Sequence, residues 1–325
     1  MEKIETILRD DQSLIPARIW IPDHHPLNQI QGIIHICHGV AEHSARYRNA
    51  ALALNQAKYI VISHDHRGHG LSISKNEELG HFANQYGWQK TVRDLFFVHK
   101  FIRKTFPDKP LILLGHSMGS FISMSYLQLH PKSVAAFIGS GSAYKPPFIC
   151  KALGLIAKAE RMRLGVTGKS KWVDKIAFLG YNKKCRPQRT QSDWISRDIS
   201  VVDQYKEDPK CNFICTAKLW EDFAYGLVDL FTHHQFNKLP KNIPYYFFGG
   251  DKDPVSLYGK QLKELSHKIK HIGAKNIEMK LYKEGRHEML NEINAPEVLE
   301  NLIDWLNKNI TKSTTTFHEV VNTST

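Results

Sequence analysis

The chain has 325 residues, 42% of them hydrophobic and 23% charged, a balance that excludes disordered and fibrous architectures. Its net charge of +12 is strongly basic, and its length suits either two domains or one large α/β unit. No apolar run approaches the roughly 18 residues a membrane-spanning helix needs. The opening stretch MEKIETILRDDQ carries acids throughout and lacks the apolar segment of a secretory signal. Five scattered cysteines (Cys37, Cys150, Cys185, Cys211 and Cys215) form no CxxC pair. That pattern argues against a disulfide framework or a zinc site, and for reduced thiols in a cytosolic compartment.

In chain order, two strands over 4–8 and 14–21 are joined by the polar turn Asp10-Asp11-Gln12-Ser13. A buried strand over 32–37 and a helix over 46–56 come next, followed by a β-branched strand over 59–63. That strand ends in the turn-rich run Asp65-His66-Arg67-Gly68-His69-Gly70. A helix over 88–106 leads to Leu111-Ile112-Leu113-Leu114, a continuous apolar run of the central parallel type. A helix over 118–129 and a strand over 134–138 complete the first half. From 144 to 232 the pattern is helical with no buried strand. Alternation resumes with a strand over 245–248, a helix over 257–269, a strand over 277–282 and a helix over 296–309. The expected fold is an eight-stranded, mostly parallel sheet flanked by helices, interrupted after its sixth strand. The expected units are a core over 1–142, a helical cap over 143–232, the rest of the core over 233–310 and a loosely held tail over 311–325.

Gly115-His116-Ser117-Met118-Gly119 is a G-x-S-x-G between an apolar strand and a helix, the context of a nucleophile elbow. Gly115 and Gly119 leave room where side chains would clash, and Ser117 presents its hydroxyl at the helix start. Such a serine needs a base to take its proton and an acid to orient the base. Gly249-Gly250-Asp251-Lys252-Asp253-Pro254-Val255 follows one late strand, and Glu284-Gly285-Arg286-His287-Glu288 follows the next. His287 is the candidate base. Asp251 and Asp253 both stand in the acid loop, and Asp253 is favoured because Pro254-Val255 fixes the turn after it. Backbone N–H groups of Met118 and of Val40, in the loop His38-Gly39-Val40-Ala41-Glu42-His43, are the candidate oxyanion donors. His267, His271, His233, His234 and His318 suit solvated or structural roles. The spacings His64-x-His66 and His66-x2-His69 are weak metal signals on a loop, and a turn role is the better reading. No metal and no organic cofactor is expected.

The runs HGVAEHSARY from His38, DHRGHGLS from Asp65, GHSMG from Gly115 and the pair GGDKDPV and GRHE resemble the monoacylglycerol lipase and lysophospholipase group of α/β hydrolases. ISRDISVVDQYKEDP, from Ile195, is similar to the cap of bacterial lysophospholipase-type members, whereas residues 146–189 match no part of the pattern. The resemblance implies Ser117 as nucleophile, Asp253 as acid, His287 as base, and Val40 and Met118 as oxyanion donors. It also implies a single-chain lipid ester as substrate, cleaved through an acyl-enzyme. A carboxylesterase or thioesterase for soluble esters, or a ligand-binding relative of weak activity, are the alternatives.

The positive charge is uneven. Residues 145–190 carry 12 Lys and Arg against 2 acids, while residues 191–232 carry 4 against 8. Ile149, Leu153 and Ile156 recur at helical spacing, with Lys151, Lys158 and Arg161 expected on the other side. Such a helix would either dock peripherally on an anionic membrane or be an ordinary cap helix with a solvated charged face, the reading that such patterns more often carry. No aromatic-interleaved basic motif points to nucleic acid.

Overall fold

The computed structural model describes residues 1–23, 25–73 and 78–310, so the expected tail over 311–325 lies outside the described residues. Strands β1 (Glu2–Leu8) and β2 (Leu14–Trp20) form the antiparallel hairpin expected from the polar turn. They precede β3 (Gly32–Cys37), α1 (Arg48–Gln56), β4 (Tyr59–His64), α2 (Gly87–Thr105), β5 (Leu111–His116), α3 (Met118–Leu129) and β6 (Ala136–Ser140). After β6 come α4 (Pro147–Leu164), α5 (Lys171–Ala177), α6 (Ile199–Glu207), α7 (Ala217–Leu230) and α8 (His233–Phe236). The chain closes with β7 (Tyr245–Gly250), α9 (Lys260–His271), β8 (Ile277–Tyr282) and α10 (Ala295–Asn309).

The eight strands form one sheet in the order β1-β2-β4-β3-β5-β6-β7-β8. From β4 to β8 every pairing is parallel, and β3 to β7 are buried on both faces, which is why their sequences read as continuous apolar runs. One face is covered by a core that includes Leu95 and Val98 of α2, Ile122 of α3 and Leu262 of α9. The other is covered by Ala51 and Leu54 of α1 and Leu302 and Leu306 of α10. The chain reverses direction across the sheet between β4 and β5, both of which flank β3. Ligands of open parallel sheets bind at the carboxyl ends beside such a reversal.

Three sequence expectations are corrected. The sixth strand begins at Ala136 and runs to Ser140, two residues later than its β-branched Val134 suggested. The helix expected over 257–269 starts at Lys260, because Leu257 and Tyr258 sit at φ 49° and 59°, outside the helical region. The third concerns α4. Its packed stripe is Cys150, Gly154 and Ala157, small residues that let α4 lie close on α7, where a Cβ on Gly154 would meet the Tyr225 ring at 3.2 Å. Arg161 is on that packed side, ion-paired with Glu221 of α7, and not on a solvated face.

Candidate active site

Ser117 stands between β5 and α3 at φ 51°, ψ −122°, the strained turn the G-x-S-x-G spacing calls for. The turn closes only with glycine on either side. A Cβ on Gly115 would lie 2.4 Å from Ser120 Cα, and one on Gly119 would lie 2.1 Å from the Cys37 carbonyl oxygen. The Ser117 N–H donates to the Ser140 carbonyl at 2.9 Å, and the Ser120 hydroxyl donates to the Ser117 carbonyl at 2.7 Å. Met118 is the first residue of α3, so its N–H belongs to the first turn that a helix leaves without internal partners.

Asp253 and His287 come from the loops after β7 and β8. His287 Nδ1 lies 3.0 Å from Asp253 Oδ1, with Asp253 fully buried and His287 2% exposed. The Val255 N–H donates to the same Oδ1 at 2.9 Å, which is the work Pro254-Val255 does in aiming the carboxylate. Asp251 is elsewhere: its Oδ1 accepts the Glu284 N–H at 2.8 Å and braces the two loops from outside. Lys145 donates to the Val255 carbonyl at 2.6 Å and to Gln261 Oε1 at 2.9 Å, tying the acid loop to the start of the inserted helices. Burial pushes its ammonium below the usual lysine range, against the pull of the nearby Asp253 carboxylate.

The His287 loop is also held from the inserted segment. The His287 N–H donates to the Trp194 carbonyl at 3.3 Å and the Glu288 N–H to that of Ile195 at 2.7 Å. Arg286 Nη1 donates to the carbonyls of Asp193 and Ser196, at 2.5 and 2.9 Å. The Trp194 ring lies 5.1 Å from the His287 ring, and the His116 ring 4.7 Å on another side. Burial lowers His116 to about 4, so it is a neutral imidazole wall.

A buried ion network lies behind the 38–43 loop. Glu42 Oε1 accepts the Gly39 N–H and, at 2.9 Å, the Tyr47 hydroxyl. Arg46 bonds Glu42 at 2.9 Å and both oxygens of Glu288 at 2.6 Å, with its guanidinium over the Tyr205 ring. Burial opposes charge on Glu42, but Arg46 beside it holds the carboxyl down at about 2. The network therefore joins the loop of Val40 to the residue after His287.

Ser117, Met118, Val40 and His287 line one cavity of about 280 Å³; Asp253 stands behind His287. Phe121, Ile149, Leu153, Phe178, Trp220 and Leu227 are among its apolar lining, and Glu42, Glu288 and Lys145 are its charged lining residues. Sequence reasoning did not single out Arg46, Lys145 or Trp194. The opposite charges inside HGVAEHSARY and GRHE were the available signal for the ion network. Nothing local marks Trp194, whose role rests on its backbone carbonyl.

Comparison with known proteins follows the same outline. The family model for Hydrolase_4, serine aminopeptidase S33, matches residues 28–294. The chain is 27% identical over 290 residues to a monoacylglycerol lipase of Mycolicibacterium smegmatis, covering 89% of this chain and 91% of that one. It is 26% identical over 313 residues to a monoglyceride lipase of Homo sapiens, covering 95% and 91%. Among solved structures, a thermostable carboxyl esterase from Bacillus coagulans in complex with glycerol aligns with a TM-score of 0.85 at 26% identity. That alignment covers 95% of this chain and 99% of the other.

Proposed function

The chain belongs to the Hydrolase_4 family of α/β hydrolases, serine aminopeptidase S33, and is a carboxylic ester hydrolase; from its likeness to monoglyceride lipases we propose monoacylglycerols as its substrates. The observation that carries the substrate is a cavity with a predominantly apolar lining that Ser117 and His287 share. A volume of about 280 Å³ is at the small end for ligand pockets and suits one acyl chain. Arg46 already occupies the Glu42 and Glu288 carboxylates, so the choice of a glycerol ester over a lysophospholipid is supported by the likeness to monoglyceride lipases.

In this reading Ser117 attacks the ester carbonyl while His287 takes its proton, and Asp253 holds the imidazole in the tautomer that can accept it. Backbone N–H groups of Val40 and Met118 carry the oxyanion. His287 then protonates the departing glycerol oxygen, and water releases the fatty acid from Ser117. The reading includes a docking face for anionic lipid. Phe148, Leu155 and Met162, spaced by seven along α4, are 74, 54 and 72% exposed, and the exposed Lys151 and Lys158 flank them. None of the described helices is long and apolar enough to cross a membrane.

The test is fatty-acid release from monooleoylglycerol, oleoyl-lysophosphatidylcholine and a short nitrophenyl ester, wild type beside Ser117→Ala. The glycerol ester should turn over fastest, and Ser117→Ala should lower kcat by about 10⁴- to 10⁶-fold without unfolding. Turnover of the short ester alone would discard the lipid substrate, and a loss below about tenfold in Ser117→Ala would discard the nucleophile.

A further inference from the structure

One face of the sheet carries a polar cluster that ester hydrolysis does not use. His35 and Cys37 stand two residues apart on β3 and so project from the same face. The register that pairs Cys37 with His64 puts His64 of β4 on that face too. All three are fully buried. His35 Nε2 lies 2.9 Å from His64 Nδ1, and one ligand atom from each of the three residues lies within 4.8 Å of the others. His99 of α2 closes the far side, its Nε2 3.1 Å from His35 Nδ1. Buried polar groups find partners in more than nine cases in ten. Yet His64 Nε2 and His99 Nδ1 have none among the described residues, nor has either ring nitrogen of the adjoining His66.

We propose that His35, Cys37 and His64 form an internal site for a monovalent thiophilic cation of the Cu(I) class. Two imidazoles and a thiolate are a soft donor set, and soft ligands select Cu(I) and Zn(II) among the common ions. Charge then separates these two. A thiolate with a monovalent ion and neutral imidazoles has no net charge, whereas a divalent ion leaves +1 in an apolar interior, where an unpaired charge is costly.

The geometry needs little rearrangement. With bonds of about 2 Å to nitrogen and 2.3 Å to sulfur, donors around such an ion sit about 3.4 to 3.8 Å apart. The two imidazoles must part slightly and the sulfur must close in. His99 is the outer partner that fixes the His35 ring.

Binding balances as follows. Whichever ring holds the proton of the His35–His64 hydrogen bond moves it to its outer nitrogen. On His64 that nitrogen is the unpartnered Nε2; on His35 it is Nδ1, and His99 Nε2 then accepts from it while the His99 proton moves to its unpartnered Nδ1. The Cys37 thiol loses its proton to solvent as the S–metal bond forms, so one proton leaves per ion. Ions with closed access load as the chain folds.

The full chain is therefore produced in copper-supplemented and in zinc-supplemented cultures, then challenged with a chelator of the matching metal. Wild type should retain one copper per chain, and X-ray absorption at the copper edge should show one sulfur and two imidazole scatterers. Cys37→Ser and His35→Phe should lose at least about tenfold in retained copper, while Cys211→Ser retains it. Cys211 belongs to the second His–Asp–Cys group, with His43 and Asp208, and is the internal control. If either core variant fails to fold, the wild-type absorption spectrum and Cys211→Ser still decide. No retained copper, copper without a sulfur ligand, retention of zinc alone, or loss in Cys211→Ser would each overturn the assignment.

Discussion

Replacing Arg46 by Met keeps most of the side chain's bulk over the Tyr205 ring and removes its charge. In the wild type that charge is shared by Glu42 and Glu288, which are 3 and 6% exposed at the side chain, with Arg46 itself at 10%. Its loss leaves two carboxylates buried without a counter-ion. Breaking a buried pair from one side costs about 3 to 5 kcal/mol, a large share of the roughly 5 to 15 kcal/mol that holds a domain together. Urea unfolding at pH 7 measures it directly. The pH dependence adds a second signature. Glu42 sits at about 2 when folded against an ordinary 4.5, so the stability it contributes is complete above 4.5 and lost as pH falls towards 2. Without Arg46, Glu42 loses the largest influence that offsets its burial, and its carboxyl moves up from about 2. The variant's deficit is then greatest near neutrality and narrows in acid. A deficit below about 1 kcal/mol at pH 7, or one that widens on acidification, would refute the view that Arg46 neutralises this pair.

Gly141→Ala should cut kcat by about 10²-fold, because the new Cβ at φ 55° would lie 2.8 Å from His287 Cε1 and displace the ring. Unchanged kcat in steady-state assays would mean that the ring has room to spare. Asp253→Asn should lower kcat by about 10⁴-fold, whereas Asp251→Asn, whose amide oxygen can still accept the Glu284 N–H, should stay within about twofold. Equal losses in the two variants would reverse the choice of acid. The double variant Phe148→Ser, Met162→Ser should sediment less with anionic vesicles while keeping its rate on the short soluble ester. Undiminished sedimentation would remove α4 from the docking face.

The strands and the elbow were legible because each is written in contiguous residues. The apolar runs of β3 and β5 and the helix over 118–129 follow directly from periodicity. The motif residues Ser117, Met118 and Val40, together with His287, come to line one cavity, with Asp253 on the imidazole's far side. What was not legible depends on facing surfaces. On α4, apolar residues occupy three directions: Ile149 and Leu153 line the cavity, Phe148 and Met162 meet solvent, and the true packing stripe is made of small residues. A two-sided reading of polarity cannot separate these. The late start of α9 comes from two positive-φ residues that are not glycine, which composition does not announce. His64 read as a turn residue and His35 went unmarked within its apolar strand, because His35's partner on α2, His99, is 64 positions away.

The hydrogen bonds from residues 286–288 to the carbonyls of 193–196 bear on how this chain could be recombined with its relatives. A lid exchanged as a single cassette between β6 and β7 would carry away the carbonyls on which the His287 loop rests, and the grafted chain would present its imidazole on an unsupported loop. A graft limited to 147–190 keeps those carbonyls in the chain and alters the apolar wall that includes Ile149, Leu153 and Phe178, provided the graft retains Asn182 and Thr190, which hold Trp194 and Asp193. The boundary that matters for building chimeras therefore falls inside the helical insertion, ahead of Asp193, and not where the sheet resumes.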